Sequence, residues 1–347
     1  NGTRVYYNGW LWTCPLGAGT LGCMSSAVKV ALGVELPADI VTRVRLVSPH
    51  VEVLESDALE HDPRGYREAE VALVTGWLEQ AQLREARGLR WLQTVGAGVE
   101  RLLTPDIVGR SELVVTNASG IHAQPIAEHA FGLLLMFTRN LHLSAARQHE
   151  AQWQSLPYRE TLRTLHGKTL GVLGLGAIGK RVAEIGAAFG LRVIGFKRRP
   201  ARERIPQVEE IYGPGELSTF LSRAELLVNL LPLTAETRGI LGERELGTLP
   251  RGAFIVNLGR GATIDTPALV AALRSGHLAG AGLDVTEPEP LPPDHPLWAL
   301  PDVIITPHYS GAQPGYFRQL GELFIDNLGR YLRGEPLLNV VDKQAGY

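Results

Sequence analysis

An arginine, a carboxylate and a histidine stand in three short runs of the second half of the chain. The runs are Asn257-Leu-Gly-Arg260-Gly261, Asp284-Val-Thr-Glu287-Pro-Glu289-Pro290 and Pro307-His308-Tyr-Ser-Gly311. Arg260 can grip a carboxylate and polarise a carbonyl. His308 can give or take a hydroxyl proton. Glu289 can orient the imidazole and hold its charge. Gly261, lacking a side chain, permits close approach of a ligand beside the arginine. Together the three groups suit a 2-oxo acid and the 2-hydroxy acid related to it.

Each run follows an apolar stretch that reads as a buried strand, at 253–256, 279–283 and 303–305. Loops leaving the carboxyl ends of strands in an open parallel sheet lie along one edge, where ligands bind. The arginine, carboxylate and histidine are therefore expected to face one cleft. Further upstream, residues 169–173 form another strand-like run. It leads directly into Gly174-Leu-Gly176-Ala177-Ile178-Gly179 and then a helical pattern ending at Gly190. This is the dinucleotide fingerprint in its strand–turn–helix setting. Gly174 makes the tight turn, Gly176 admits the pyrophosphate, and Gly179 lets helix and strand pack. The helix N-terminus, with Ala177 and Ile178, offers free amides to the phosphates.

The next strand, 191–196, ends where NAD binders carry an acid for the ribose hydroxyls. Here Lys197-Arg198-Arg199 follows instead. Three cations suit a 2′-phosphate, so NADP is expected, with NAD as the alternative.

On these runs the chain resembles the D-isomer-specific 2-hydroxyacid dehydrogenase family, of glyoxylate/hydroxypyruvate reductase type, from Ala27 to the C-terminus. The resemblance implies catalytic roles for Arg260, Glu289 and His308. It implies that Asp284 faces the nicotinamide carboxamide and that Pro232 and Thr237 touch the nicotinamide ribose. The run Val95-Gly96-Ala97-Gly98-Val99 follows a strand and is expected to open a short helix whose amides bind an anion; the resemblance assigns the substrate carboxylate to Ala97 and Gly98. Trp77, after a strand near Thr75, is a further candidate for the pocket wall. Related formate dehydrogenases pair their histidine with glutamine, so a carboxylate at Glu289 points to a substrate with a hydroxyl proton to move. The resemblance also implies a homodimer, with 141–165 and its Trp153 in the interface. Two other readings stay open: a nucleotide-sensing regulator of corepressor type on the same fold, and a phosphite-oxidising dehydrogenase.

Alternating strand-like and helical stretches define the organisation. Strand-like runs at 28–32, 51–54, 71–75, 90–94 and 113–115 build a first domain, and a helical stretch at 126–152 leads out of it. Strands at 169–173, 192–196, 226–230, 253–256, 279–283 and 303–305 build a second. The fold expected is α/β, with two doubly wound parallel sheets. A flavodoxin-like substrate domain spans 24–122 plus 311–347, and a Rossmann cofactor domain spans 123–310. The last helical stretch, 316–332, should return to the first domain, as the resemblance implies. Thr266-Pro267 reads as a helix start, with Thr266 as N-cap.

With 347 residues, the chain is long enough for two domains. Its formal net charge of -2 gives no bulk attraction to nucleic acid. No apolar run approaches the length of a membrane span. The ten histidines show no metal-ligand spacing, so no metal is expected. Residues 1–23 carry no helical or strand period and read as a leader, tag or mis-assigned start before Met24. Thr20-Leu-Gly-Cys23 resembles a lipoprotein cleavage box only faintly, because Gly, Pro and Asn interrupt the stretch before it. Both cysteines, Cys14 and Cys23, fall in this segment, leaving a cysteine-free enzyme suited to a reducing cytoplasm.

Overall fold

The computed structural model describes the backbone of residues 4–7 and 10–13, and then residues 27–55, 59, 65–75, 82, 85–153, 161–199 and 204–347. Cys14, Cys23, Met24 and Trp77 lie outside the described residues. The chain divides into two compact units, Asn1–Ile121 with Pro314–Tyr347, and His122–Gln313. The first 23 residues were expected to lack regular structure. Two short strands, β1 (Arg4–Tyr7) and β2 (Trp10–Thr13), instead pair there as an antiparallel hairpin.

The first unit is built on β3 (Val28–Leu32), β4 (Val51–Leu54), β5 (Val71–Val74), β6 (Trp91–Thr94) and β7 (Val114–Thr116). They form one parallel sheet in the order β4-β3-β5-β6-β7. Counted within the unit this is 2-1-3-4-5, the flavodoxin-like order. One face carries helices α1 (Ala38–Arg45) and, from the end of the chain, the helix Tyr316–Arg333. The two helices are cross-braced on their exposed sides by Asp39–Arg318 and Arg43–Glu322 pairs. Beneath them, fully buried Trp91 stacks on Phe324 with ring centroids 5.0 Å apart.

The second unit opens with helices α2 (Ala123–Thr138) and α3 (Leu141–His149). Its strands are β8 (Thr169–Leu173), β9 (Arg192–Phe196), β10 (Glu210–Tyr212), β11 (Leu226–Asn229), β12 (Ala253–Asn257), β13 (Leu278–Leu283) and β14 (Val303–Ile305). All seven are parallel, in the order β10-β9-β8-β11-β12-β13-β14. That is the Rossmann order 3-2-1-4-5-6 with one further strand at the edge. β11 and β12 are buried at every position, as strands covered on both faces must be, and so read as unbroken apolar runs. Helix α4 (Ala177–Ala188) joins α2 on one face. The other face is covered by helices that include α5 (Thr266–Arg274). The start of α5 differs from expectation: Asp265 is the N-cap, its carboxylate accepting from the Ala268 amide at 2.8 Å, and Thr266 is already helical. Asp and Thr both cap well, and the anion is better placed against the helix dipole. Among the described residues no helix is long and apolar enough to cross a membrane.

Candidate active site

Arg260 follows β12 by three residues. Its loop is held from below by a buried neutral network. Asn229, at the end of β11, donates to the Asn257 amide oxygen at 3.0 Å and to the Thr263 hydroxyl at 2.7 Å. The Thr263 hydroxyl then donates to the Arg260 carbonyl at 2.6 Å, and the Asn257 side chain donates to the same carbonyl at 3.1 Å. Asn229, Asn257 and Thr263 are all essentially solvent-free. Buried amides must find partners, so a fully paired set of this kind allows the loop one conformation. The Arg260 guanidinium donates to the Gly259 carbonyl at 2.7 Å and stays half-buried.

Gly261, expected to admit a ligand, has a packing role within the protein. A Cβ there would lie 2.0 Å from the backbone oxygen of Thr286. The missing side chain lets the loop after β13 pack directly on the arginine loop, which brings the Glu289 segment beside it.

His308 follows β14, and its Nδ1 lies 2.5 Å from Glu289 Oε1. The two loops thus deliver an imidazole–carboxylate pair at the carboxyl edge of the sheet, with both side chains still open to solvent. His308 adopts φ 52°, the left-handed region that residues with a Cβ seldom occupy. Its amide donates to the Asp284 carbonyl at 2.9 Å. Asp284 itself is 2 % exposed, and its carboxylate is engaged three times within the protein. Oδ1 accepts from the Thr306 hydroxyl at 2.6 Å and the Tyr309 amide at 3.1 Å; Oδ2 accepts from the Ser310 amide at 3.1 Å. The carboxylate expected to face a cofactor therefore also ties down the histidine loop.

At the glycine-rich turn, Gly174 has φ 111°. A Cβ on Gly179 would fall 2.1 Å from the Gly174 carbonyl oxygen, so the first turn of α4 sits directly on the loop. A Cβ on Gly176 would meet nothing within 4 Å. The N-terminus of α4, with Ala177 and Ile178 as its first residues, is thus uncovered at Gly176 and fits a pyrophosphate. Lys197, Arg198 and Arg199 leave the end of β9; Lys197 is partly buried and the two arginines are exposed. The Thr237 hydroxyl donates to the Pro232 carbonyl at 2.6 Å, and the Thr234 amide donates to that hydroxyl at 2.7 Å. Pro232 and Thr237 are thereby one stapled turn. In the same turn, hydrogen bonding from Thr234 holds the Glu236 carboxyl below its ordinary range, and the Arg198 charge acts in the same direction.

In the first unit, the stretch 95–99 opens no helix, contrary to expectation. It runs through bends, and the next helix is Pro105–Gly109. Its carbonyls are fixed: Gly96 O accepts from the Ala118 amide at 3.0 Å and Ala97 O from the Asn117 side chain at 2.8 Å. The Ala97 and Gly98 amides have no hydrogen-bond partner among the described residues. Two donors on a pinned backbone remain available to an anion even without a helix dipole behind them.

An arginine, a histidine–carboxylate pair and a glycine-turned helix N-terminus thus share one sheet edge of the second unit, which residues 131–310 extend over almost entirely. Those residues match the family described as D-isomer specific 2-hydroxyacid dehydrogenase, NAD binding domain. The chain belongs to the D-isomer-specific 2-hydroxyacid dehydrogenase family. A glyoxylate reductase of Aeropyrum pernix is 36% identical over 302 residues, 86% of this chain and 88% of that protein. Among solved structures, a D-isomer specific 2-hydroxyacid dehydrogenase from Xanthobacter autotrophicus Py2, in complex with NADPH and MES, has a TM-score of 0.77. It is 34% identical, covering 93% of this chain and 100% of its own. The NADPH-dependent glyoxylate/hydroxypyruvate reductase of Sinorhizobium meliloti, in complex with NADP and sulfate, also gives a TM-score of 0.77. It is 29% identical, covering 92% of this chain and 100% of its own. As a member of this dehydrogenase family the chain is an oxidoreductase using a nicotinamide dinucleotide. Among the described residues no group of histidine, cysteine and carboxylate side chains could hold a metal ion.

Sequence reasoning missed Asn229, Thr263, Thr306 and His129, the last of which touches Thr306 at 3.1 Å. None belongs to a motif. The only available signal was a polar residue at the end of an otherwise apolar strand, as at Asn229 and Thr306.

Proposed function

We propose that this dehydrogenase reduces small 2-oxo acids of the glyoxylate and hydroxypyruvate type to D-2-hydroxy acids, with NADPH as preferred cofactor, in the cytoplasm. The observation that carries the reading is the His308–Glu289 contact of 2.5 Å beside a rigidly held Arg260 loop. When bound, the dihydronicotinamide supplies the hydride. Arg260 binds the anionic substrate and stabilises charge growing on the carbonyl oxygen. His308 protonates that oxygen from its Nε2, because Nδ1 is turned to Glu289. Glu289 fixes the ring orientation and offsets the charge of the imidazolium, as an orienting carboxylate does in other acid–base pairs. The amides of Ala97 and Gly98 are donors for a substrate carboxylate.

Gly174, Gly176, Ala177, Ile178 and Gly179 would hold the pyrophosphate, with Pro232, Thr237 and Asp284 toward the nicotinamide end. Lys197, Arg198 and Arg199 would bind the 2′-phosphate. The absence of an acid in that run supports NADPH, as do the NADPH and NADP bound in the Xanthobacter and Sinorhizobium proteins. Turnover of a panel of 2-oxo acids with NADPH and NADH tests the reading. Turnover of glyoxylate or hydroxypyruvate with a clear NADPH preference is expected. Cofactor binding without turnover of any acid would favour a regulatory role instead.

We also propose a homodimer with 141–165 at its interface. Helix α3 buries none of its residues, and Leu141 and Trp153 are 50% and 98% exposed. Large apolar side chains left open at both ends of one segment are costly unless covered. Light scattering should give twice the chain mass at micromolar concentration; a monomer mass contradicts the proposal.

A further inference from the structure

His308 holds a conformation that its own backbone disfavours. Residues with a Cβ persist at φ 52° only where the surroundings over-determine them. The surroundings here are a directed chain of hydrogen bonds. A carboxylate only accepts, so the single Thr306 hydroxyl proton goes to Asp284 Oδ1, at 2.6 Å. The Thr306 oxygen must then accept from its other neighbour, His129 Nε2, at 3.1 Å. His129 is therefore the tautomer protonated on Nε2. Burial lowers its pKa, against a smaller opposing pull from Asp284, so the ring stays neutral near pH 7. The same ring meets Tyr309 edge-on, with centroids 5.6 Å apart and planes at 86°. His129 stands on helix α2, the long buried helix of this unit. The chain of bonds therefore runs from a rigid element to the loop that carries the proton donor.

We infer that His129 and Thr306 are positioning residues, which through Asp284 fix the backbone of Tyr309 and Ser310 and so aim the His308 imidazole. The resemblance assigns Asp284 to the cofactor. The three internal donors on its carboxylate give it this second task and extend that task to Thr306 and His129, which lie in no fingerprint. Losing the Thr306 hydroxyl leaves Asp284 Oδ1 short of a donor and the His129 N–H without an acceptor. The loop then relaxes toward ordinary φ and the imidazole moves off its line to the substrate. Displacements of about 1 Å in catalytic groups cost on the order of a hundredfold in rate.

As a statement about catalysis, the inference rests on the reductase reading; as a statement about the loop, it does not. The experiment uses full-length Thr306→Val, Thr306→Ser and His129→Phe. Hydrogen exchange of the Tyr309 and Ser310 amides is measured without substrate, and steady-state kinetics with hydroxypyruvate and NADPH. Thr306→Val should speed exchange at both amides at least about tenfold, the opening free energy changing by the order of one hydrogen bond. Its kcat should fall about ten- to hundredfold while KM for the acid moves little, since the Arg260 loop has its own support. Thr306→Ser, which restores the hydroxyl, should be near wild type in both, and His129→Phe should lie between. Unchanged exchange in Thr306→Val overturns the inference whether or not any acid is turned over. Faster exchange with unchanged kcat overturns its catalytic half. A wild type inactive on every 2-oxo acid overturns the reductase reading, and the exchange data still decide whether the chain of bonds fixes the loop.

Discussion

The loops carrying Arg260 and His308 leave strands of the same sheet edge, yet they are anchored by opposite means. Beneath Arg260 the support is neutral and solvent-free, made of the amides and hydroxyl of Asn229, Asn257 and Thr263. Beneath His308 it is an anion, Asp284, collecting a hydroxyl and two backbone amides. The difference follows from what each loop holds up. A guanidinium is always charged and needs only a fixed base. An imidazole that changes charge during a reaction benefits from nearby anions, and it has Glu289 in contact and Asp284 one layer below. The basic run after β9 contrasts with both. Lys197 is partly buried and Arg198 and Arg199 are exposed, so the run offers charge without a rigid frame of this kind.

The contrast predicts a graded set of outcomes. Short of removing the proton donor itself, Arg260→Ala should be the most damaging change, lowering kcat on the best 2-oxo acid about a hundred- to thousandfold and raising KM as well, because the group serves both the ground state and the developing oxyanion. Steady-state kinetics over a range of acid concentrations measures both terms.

Arg198→Ala acts on affinity alone. Loss of one charge-assisted phosphate contact costs roughly 1.5–3 kcal/mol, or about ten- to hundredfold. KM for NADPH should rise by that factor while KM for NADH hardly moves. Parallel rises for both cofactors would place Arg198 away from the 2′-phosphate.

Asn229→Leu addresses the neutral anchor. It leaves the Leu231 amide without its partner in the core and takes one donor from the Asn257 oxygen and from the Thr263 hydroxyl, at a cost of about 1–3 kcal/mol in stability. Urea unfolding should show a lower midpoint with unchanged slope. Stability equal to wild type would mean that the network is replaceable and that the Arg260 loop is held by packing.

The smallest effect concerns acid. His122 caps the start of α2 and His129 stands near its middle, and burial lowers the pKa of each. Lowered histidine pKa values mean that the unfolded chain binds more protons below the ordinary value of about 6.5, so stability declines as pH falls from there toward the folded-state values. Thermal unfolding at pH 7 and pH 5.5 should show this loss, and His122→Gln should reduce it. An equal loss in the variant would assign the acid sensitivity elsewhere.

The sequence made the strand ends legible because buried parallel strands are unbroken apolar runs, and the chemistry begins where they stop. Arg260, Glu289 and His308 could be placed on one edge for that reason alone. β10 escaped notice because Glu210–Tyr212 is three residues long and starts with a charge. The turn at Ala97 and Gly98 was read as a helix start because glycine-rich turns after strands so often are; here Asn117 and Ala118 pin it open instead. Gly261 was read for a ligand, yet it accommodates Thr286, since a glycine's neighbour cannot be known before the fold is. The supports of both loops, Asn229 and Thr263 on one side and Thr306 and His129 on the other, were invisible for a common reason. Single amides, hydroxyls and rings have no period, and the bonds that tie them to other elements span 22 to 177 positions in sequence.

The most direct test of the central claim is the rate of NADPH oxidation with hydroxypyruvate by wild type and His308→Ala, with the configuration of the glycerate formed. The account predicts turnover to D-glycerate by the wild type and a loss of about a hundred- to ten-thousandfold in kcat when the proton donor is removed. A His308→Ala enzyme near the wild-type rate, or a wild type that forms no glycerate, would contradict it.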